Sequence, residues 1–505
     1  MTRLTRSQIL RPLILGLSCL LLLFACSFNQ TTNIGKTLVV AVEPTFPPFE
    51  FQSLNGKLQG FDVDLMNAIS RAAGFKFKFQ SLPFDGMIPA LQAGTVDAAV
   101  AAMTITPERL KTVSFSRPYF KAGLAIAVRS NNETIKTLDD LKNRAIAVQI
   151  GTTGAKTAQG IAGAKVRTFD TAPLALQELL NGNVEAVIND IPVTLYAIKS
   201  ANIEGIKLAG QQLTEEFYGI PTPKNSPTLE VINKGLSTIL ENGTYAQIYR
   251  QWFDVEPPQL PETIFANATG QTSKSTRLES LQVIVQSLPN LLRGAIITLE
   301  LTALSVFLGM FGGSLIGIAR LSPMRPLRWA TRAYVDFFRG TPLLVQIFMI
   351  YFGLPPLLQE LGLTFTLDRL GAAVIALSLN SAAYIGEIVR AGIQSIPPGQ
   401  SEAAQSLGLG PVQTMRYVIF PQALRRMLPP LGNEFITLLK DTSLVAVIGF
   451  EELFRQGQLI VAANYRPFEL YGTVALLYLA LTLLSSQAFS WLERRMNPIK
   501  RSQMS

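Results

Sequence analysis

Residues 291–319 read LLRGAIITLELTALSVFLGMFGGSLIGIA, and this run decides the fold. Only Arg293 and Glu300 interrupt its apolar character, and about 20 such residues suffice to cross a bilayer as a helix. Similar runs recur at Ala333 to Leu354, Leu370 to Ile396, Leu431 to Phe450 and Leu470 to Trp491. About five spans are therefore expected in an all-α C-terminal half. The preceding residues are an ordinary soluble mixture, and a chain of 505 residues exceeds the usual size of a single domain. The reading is one soluble unit followed by one membrane-embedded unit.

Charge sets the expected direction of the spans. Arg320, Arg325, Arg328 and Arg332 follow the first, Arg416, Arg425 and Arg426 the third, and Arg494, Arg495, Lys500 and Arg501 the fifth. The other loops mix signs, with Glu360, Asp368 and Arg369 in one and Glu451, Glu452, Arg455 and Arg466 in the other. The positive-inside rule then puts the soluble half outside and the C-terminus in the cytoplasm. The formal net charge of +9 needs no nucleic acid partner, because the basic residues flank the spans and form no aromatic-interleaved patch.

Composition excludes several chemistries. With 0 histidines, Ser-His-Asp and Cys-His catalysis and histidine-based metal sites are ruled out. No cofactor or metal is expected. The 2 cysteines, Cys19 and Cys26, both precede the soluble half, so no disulfide framework follows. Arg3, Arg6 and Arg11 ahead of the apolar run Leu13 to Phe24 read as an export signal over residues 1–26. Leu23-Phe24-Ala25-Cys26 is close to a lipoprotein cleavage box, although Phe24 is bulky for it.

Between residues 36 and 255 the strand-like runs Thr37 to Val42, Ala145 to Val148 and Ala186 to Ile188 alternate with helical stretches such as Val63 to Ala73 and Leu174 to Asn181. That order implies an α/β fold, largely parallel sheets and a site at the strand C-terminal ends. In Met103-Thr104-Ile105-Thr106-Pro107-Glu108-Arg109, Thr106 is the expected N-cap and Pro107 the first helical residue. Free N–H groups with the Arg109 guanidinium beside them make an anion site. Asp190, at the tip of the third strand, is placed either to take an ammonium or to form a turn. Gly151-Thr152-Thr153-Gly154 offers further N–H donors from a strand-to-helix junction. It is not a phosphate loop, since Ala155 and Ile150 stand where glycines would precede Lys156. Asp62 reads as a helix N-cap.

Gly60-Phe61-Asp62-Val63-Asp64-Leu65 with Ile69 resembles the signature of family 3 extracellular solute-binding proteins, with Ser70 departing from it. The resemblance implies a bilobed, type II periplasmic-binding-protein fold with an amino acid as ligand. It assigns the α-carboxylate to Arg109 and Thr104 with help from Thr153, the α-amino group to Asp190, and the side-chain pocket to Glu43, Phe46, Phe84 and Gln149. A carboxylate and two aromatics in that pocket suit a basic or amide side chain.

In the C-terminal half, Ser401-Glu402-Ala403-Ala404 is followed by Gly408 and Val418-Ile419-Phe420-Pro421. The spacing resembles the EAA loop of membrane subunits of ATP-binding-cassette importers, with Val418 and Phe420 in the Ile and Leu slots. The run Phe338 to Gln346, with Leu379 to Tyr384 and Lys440 to Leu444, is similar to permeases of the histidine and glutamine type. These resemblances imply an importer without enzymatic activity of its own, paired as a homodimer, docked to a separate ATPase through Glu402, Ala403, Ala404, Gly408 and Pro421. The implied place is the bacterial inner membrane, with a tether at 256–278 and the permease unit at 279–505. Asn380, Glu387 and Glu434 are intramembrane polar residues that could form a translocation site, although Glu387 and Arg390 could equally be a structural pair. A ligand-gated channel of glutamate-receptor type is the alternative, but its pore would interrupt the binding domain and no carbonyl-filter run is present. A wall hydrolase would need a second soluble domain.

Overall fold

The computed structural model describes residues 37–53, 55–199, 204–264, 277–361 and 367–496. The expected export signal and Cys26 lie outside them, as does much of the expected tether.

The N-terminal half forms two lobes. In the first, Leu38–Val42 lies between Phe77–Ser81 and Ala98–Ala99, all parallel. The second has the strand order Lys165–Phe169, Ala145–Gln149, Ala186–Asp190, Leu124–Arg129, Ile206–Ala209. Leu124–Arg129 runs antiparallel to both of its neighbours, so this sheet is mixed where a largely parallel one was expected. The chain leaves and re-enters the first lobe through two antiparallel pairs, Phe120–Ala122 with Glu216–Tyr218 and Val113–Phe115 with Pro221–Pro223. The helices Thr228–Glu241 and Thr244–Phe253 then pack back on the first lobe, burying Ile232, Leu236, Ile239 and Tyr245 beside Leu65 and Ile69.

The first-lobe helix Phe61–Ala73 corrects one expectation. Its N-cap is Gly60, not Asp62. Gly60 sits at φ +138, where a Cβ would lie 2.0 Å from the Phe49 carbonyl oxygen. Asp62 is fully buried instead, and accepts hydrogen bonds from the Ala102 N–H and the Tyr119 hydroxyl, each at 2.8 Å.

Among the described residues of the C-terminal half, three helices are long and apolar enough to cross a membrane: Leu281–Ala319, Arg369–Gln394 and Pro467–Met496. The second expected span is two helices, Arg325–Gly340 and Leu343–Gly353, bent by 106° at their break. Pro342 has no N–H to donate, and its ring forces the residue before it out of the helical region. Thr341 is accordingly extended. The carbonyls released at the break are taken by side chains: Gln346 Nε2 donates to Phe338 O at 2.8 Å and Thr341 O at 3.1 Å. The fourth expected span is the helix Phe420–Asp441, with Pro429 and Pro430 inside it, continued by a 3₁₀ turn Thr442–Ile448. It does not have the uninterrupted apolar length of the other three.

Helices Arg277–Ala319 and Arg369–Gln394 meet along a seam of small residues. A Cβ on Gly309, Gly313 or Gly317 would come within 2.9 Å of Ser381, Ile385 or Gly386, so glycine at every fourth position lets the backbones approach.

Because Gly60 combines a left-handed φ with a backbone clash, Gly60→Ala should destabilise the bilobed half by about 2–4 kcal/mol. Urea unfolding of residues 36–255 checks this, and an unchanged midpoint would contradict it.

Candidate functional site

The cleft between the lobes is lined by Phe46, Phe84, Ala102, Thr104, Arg109, Gln149, Thr152, Thr153 and Asp190. Seven of the sequence-selected residues are in this group, and Glu43 stands directly behind them. The strand ends explain the convergence. Gln149 and Asp190 are the last residues of neighbouring parallel strands in the second lobe, and Thr104 and Arg109 follow the short strand Ala98–Ala99 of the first.

Thr106 caps the helix Pro107–Thr112 through a 3.2 Å hydrogen bond from the Arg109 N–H. That turn buries Arg109, leaving it 3% exposed. Its Nη1 donates to Thr104 O at 2.7 Å and its Nη2 to Gly151 O of the other lobe at 2.9 Å, and the guanidinium lies 5.3 Å from the Phe84 ring centre. Phe84 is thus a platform for Arg109, whereas Phe46 stacks with Phe49 at 6.2 Å.

Other contacts also hold the lobes together. Gln149 Nε2 donates to both oxygens of Glu43, at 2.8 and 2.9 Å, and Lys156 pairs with Glu108 at 2.6 Å. Thr104 and Thr153, from different lobes, both donate to Glu216 Oε2, at 2.7 and 2.8 Å. Glu216 was not selected from the sequence. It sits on the return strand Glu216–Tyr218, more than 60 residues from Thr153, with no local motif to mark it.

The cleft is rich in buried negative charge. Burial pushes Glu43 up to about 8, although hydrogen bonds from Gln149 and Thr45 oppose it. Burial, then repulsion from Glu216, pushes Asp190 up to about 7. Asp190 Oδ1 and Gln149 Oε1 are buried with no hydrogen-bond partner among the described residues. These oxygens can receive a cation or N–H donors, and Arg109 can receive a carboxylate.

In the helical half the three polar candidates make different contacts. Asn380 Nδ2 donates to Gln346 Oε1 at 3.0 Å and Phe338 O at 3.3 Å, so it supports the helix break. Glu387 pairs with Arg320 and Arg390. It also borders a cavity of about 370 Å³ with Arg339, Tyr384 and Arg426. Glu434 lies on Phe420–Asp441, outside that lining. In the loop before this helix, Glu402, Ala403 and Ala404 sit on Pro398–Ser406, and Gly408 follows at φ +82. A Cβ on Gly408 would meet nothing within 4 Å. Glycine is favoured there by the backbone angle alone. Leu407, Val412 and Tyr417 leave this loop with large exposed apolar side chains.

Folded-state carboxylates with raised pKa hold protons that the unfolded chain has lost, so their contribution to stability is greatest at low pH and fades as pH rises through the folded value. Glu43 at about 8, Asp190 at about 7 and Asp62 and Asp85 at about 6 all act in this sense. The ligand-free bilobed half should therefore melt at progressively lower temperature from pH 5 to pH 8, with part of that slope removed by Glu43→Gln. A midpoint that rises over this window would contradict the charge distribution described.

Residues 38–255 match the family described as bacterial extracellular solute-binding proteins, family 3, and residues 305–498 match the binding-protein-dependent transport system inner membrane component. The glutamine transport system permease protein of Escherichia coli (strain K12) is 45% identical over 210 residues, covering 42% of this chain and 94% of the relative. The arginine transport system permease protein of Bacillus subtilis (strain 168) is 39% identical over 212 residues, 42% of this chain and 94% of the relative. Among solved structures, an ancestral arginine-binding protein bound to arginine is 47% identical, covering 44% of this chain and 100% of that one, with a TM-score of 0.43. The chain belongs to the inner membrane components of binding-protein-dependent transport systems, joined in one polypeptide to a family 3 solute-binding domain.

Proposed function

We propose that this chain imports a polar amino acid, with basic side chains favoured, across the inner membrane. The soluble half, residues 36–255, captures the ligand outside. The unit from 279 onward, joined by a tether at 256–278, carries it inward as one member of a homodimer. A separate ATPase supplies the energy at the loop from Glu402 to Pro421, where a helix, a left-handed glycine and exposed Leu407, Val412 and Tyr417 offer an apolar docking surface.

The observation that carries this reading is the cleft's charge. Asp190 and Glu43 are buried carboxylates beside which, among the described residues, stands no cation other than the more distant Arg109 acting on Asp190. Burying an unpaired charge is costly. An α-ammonium at Asp190 Oδ1, an α-carboxylate at Arg109 with Thr104 and Thr153, and a cationic or amide side chain reaching Glu43 and Gln149 would satisfy all of them. The names of the matched relatives, glutamine and arginine permeases, agree with that ligand class. Phe46 and Phe84 supply flat walls for the side-chain stem. Glu387, with Asn380 and Glu434, is the candidate for polar contacts along the path through the membrane.

Removing one partner of a desolvated charge pair typically costs about 2–5 kcal/mol, a loss of about thirtyfold or more in affinity. Arg109→Ala and Asp190→Ala should each do this in calorimetric titrations with arginine and glutamine while the fragment stays folded. Retained affinity in both variants would refute the assignment.

A side chain forced into the left-handed region costs about 1–2 kcal/mol, and a bulky one would also project from the docking surface. Gly408→Trp should thus cut ATP-driven uptake about tenfold or more and leave arginine affinity unchanged. Unaltered uptake would sink the proposed ATPase contact.

A further inference from the structure

The two halves meet at a helix that touches both lobes at once. Helix Leu453–Asn464 begins with Glu452 capping the N–H groups of Phe454 and Arg455, each at 2.8 Å. Arg455, 0% exposed, reaches into the second lobe. There its Nη1 donates to Asp170 Oδ1 at 2.5 Å, and its Nη2 to Thr168 O at 2.6 Å and Thr168 Oγ1 at 3.1 Å. At the other end Tyr465, at φ +57, packs against the first-lobe cluster that holds Phe84, Met87 and Ile88.

Asp85 completes the arrangement. It opens the first-lobe helix Phe84–Gln92, and a Cβ on Gly151 of the second lobe would lie 3.3 Å from its own Cβ. Burial, then the charge of Asp170, pushes its carboxyl up to about 6 against the opposing charge of Arg455. Lobe closure therefore brings Asp85 and Asp170 together. Two like charges oppose that closure, and a guanidinium from the membrane half offsets their repulsion. Asp170 itself touches the candidate ligand site, because its carbonyl accepts from Gln149 Nε2 at 3.2 Å.

The helix is also tied to the membrane half. Leu453 N donates to Thr298 Oγ1 at 3.1 Å and the Tyr478 hydroxyl to Glu452 Oε2 at 2.8 Å, which ties the helix to both Arg277–Ala319 and Pro467–Met496. A separate contact holds the second lobe alone: the Tyr351 hydroxyl donates to Glu178 Oε1 at 2.5 Å, beside Arg167.

We propose that Arg455 is the positioning residue through which the membrane half reads lobe closure, binding Asp170 of one lobe and offsetting the charge of Asp85 from the other only when the two stand together. This rests on the amino-acid-receptor reading above. Coupling between sites is reciprocal. If the closed receptor favours the Arg455 contact, that contact must favour ligand capture by the same factor, and the effect is visible in binding alone with no ATPase present.

The test uses the full chain in lipid nanodiscs at pH 7.5, titrated calorimetrically with arginine and with glutamine. Arg455→Ala should weaken binding about five- to tenfold. Adding Asp85→Asn to it should restore most of the loss, because the like-charge repulsion is gone. Tyr351→Phe, which touches only the second lobe, should stay within about twofold of the parent chain. Arg455→Gln, close in size and neutral, makes the same test if the alanine variant is not recovered folded. Parent-like affinity in the Arg455 variant, or a loss that Asp85→Asn does not repair, overturns the inference while leaving the transport reading intact. Failure of the parent chain to bind either amino acid overturns both.

Discussion

Buried carboxylate in excess of buried cation is the constraint on which the soluble half depends. Glu43, Asp190 and Glu216 are each no more than 8% exposed, and Arg109 is the cation among them. Closing the lobes removes these groups from water, and the interior does not repay that desolvation without partners. The hydrogen bonds of Gln149 to Glu43 and of Thr104 and Thr153 to Glu216 offset part of the cost. Protonation of Glu43 and Asp190 offsets more. What remains is a cleft whose closed form leaves buried carboxylate only partly compensated.

The helical half joins a close-packed seam to a broken helix. Its rigid part is the glycine seam between Arg277–Ala319 and Arg369–Gln394. Against it stands a helix broken at Thr341-Pro342, whose freed carbonyls are held by Gln346 and Asn380, and a loop ending in a π-helical stretch Thr414–Ile419. A break satisfied by side chains is stable yet has few backbone bonds to lose, so movement can concentrate there. Leu453–Asn464 connects this machinery to the lobes at one buried guanidinium.

Part of the cleft was legible in the sequence from short local patterns. Arg109 follows a capped turn and Asp190 ends a strand, so local patterns placed those two, whereas Thr104, Glu43, Phe46, Phe84 and Gln149 were placed by the family resemblance. Glu216 was not legible, since a strand returning from the second lobe carries no signal of where it will cross. The Asp62 reading failed because a left-handed Gly60 forced against the Phe49 carbonyl set the helix start, and an acidic residue two places later is free to be drawn into the core. The helix break could have been read from Pro342 with extended Thr341, and the seam from glycine at 309, 313 and 317. The contact of Arg455 with Asp170 joins residues 285 positions apart, and only the assembled fold brings them together.

The most direct test of the central claim is accumulation of labelled arginine or glutamine in proteoliposomes that hold this chain with its membrane-facing orientation determined. With an amino-acid-importer ATPase and ATP supplied on the cytoplasmic side, the account predicts accumulation against a gradient, abolished when ATP is replaced by a non-hydrolysable analogue. Accumulation by the chain alone without ATPase or ATP, or a ligand-dependent ionic current in its place, would contradict it.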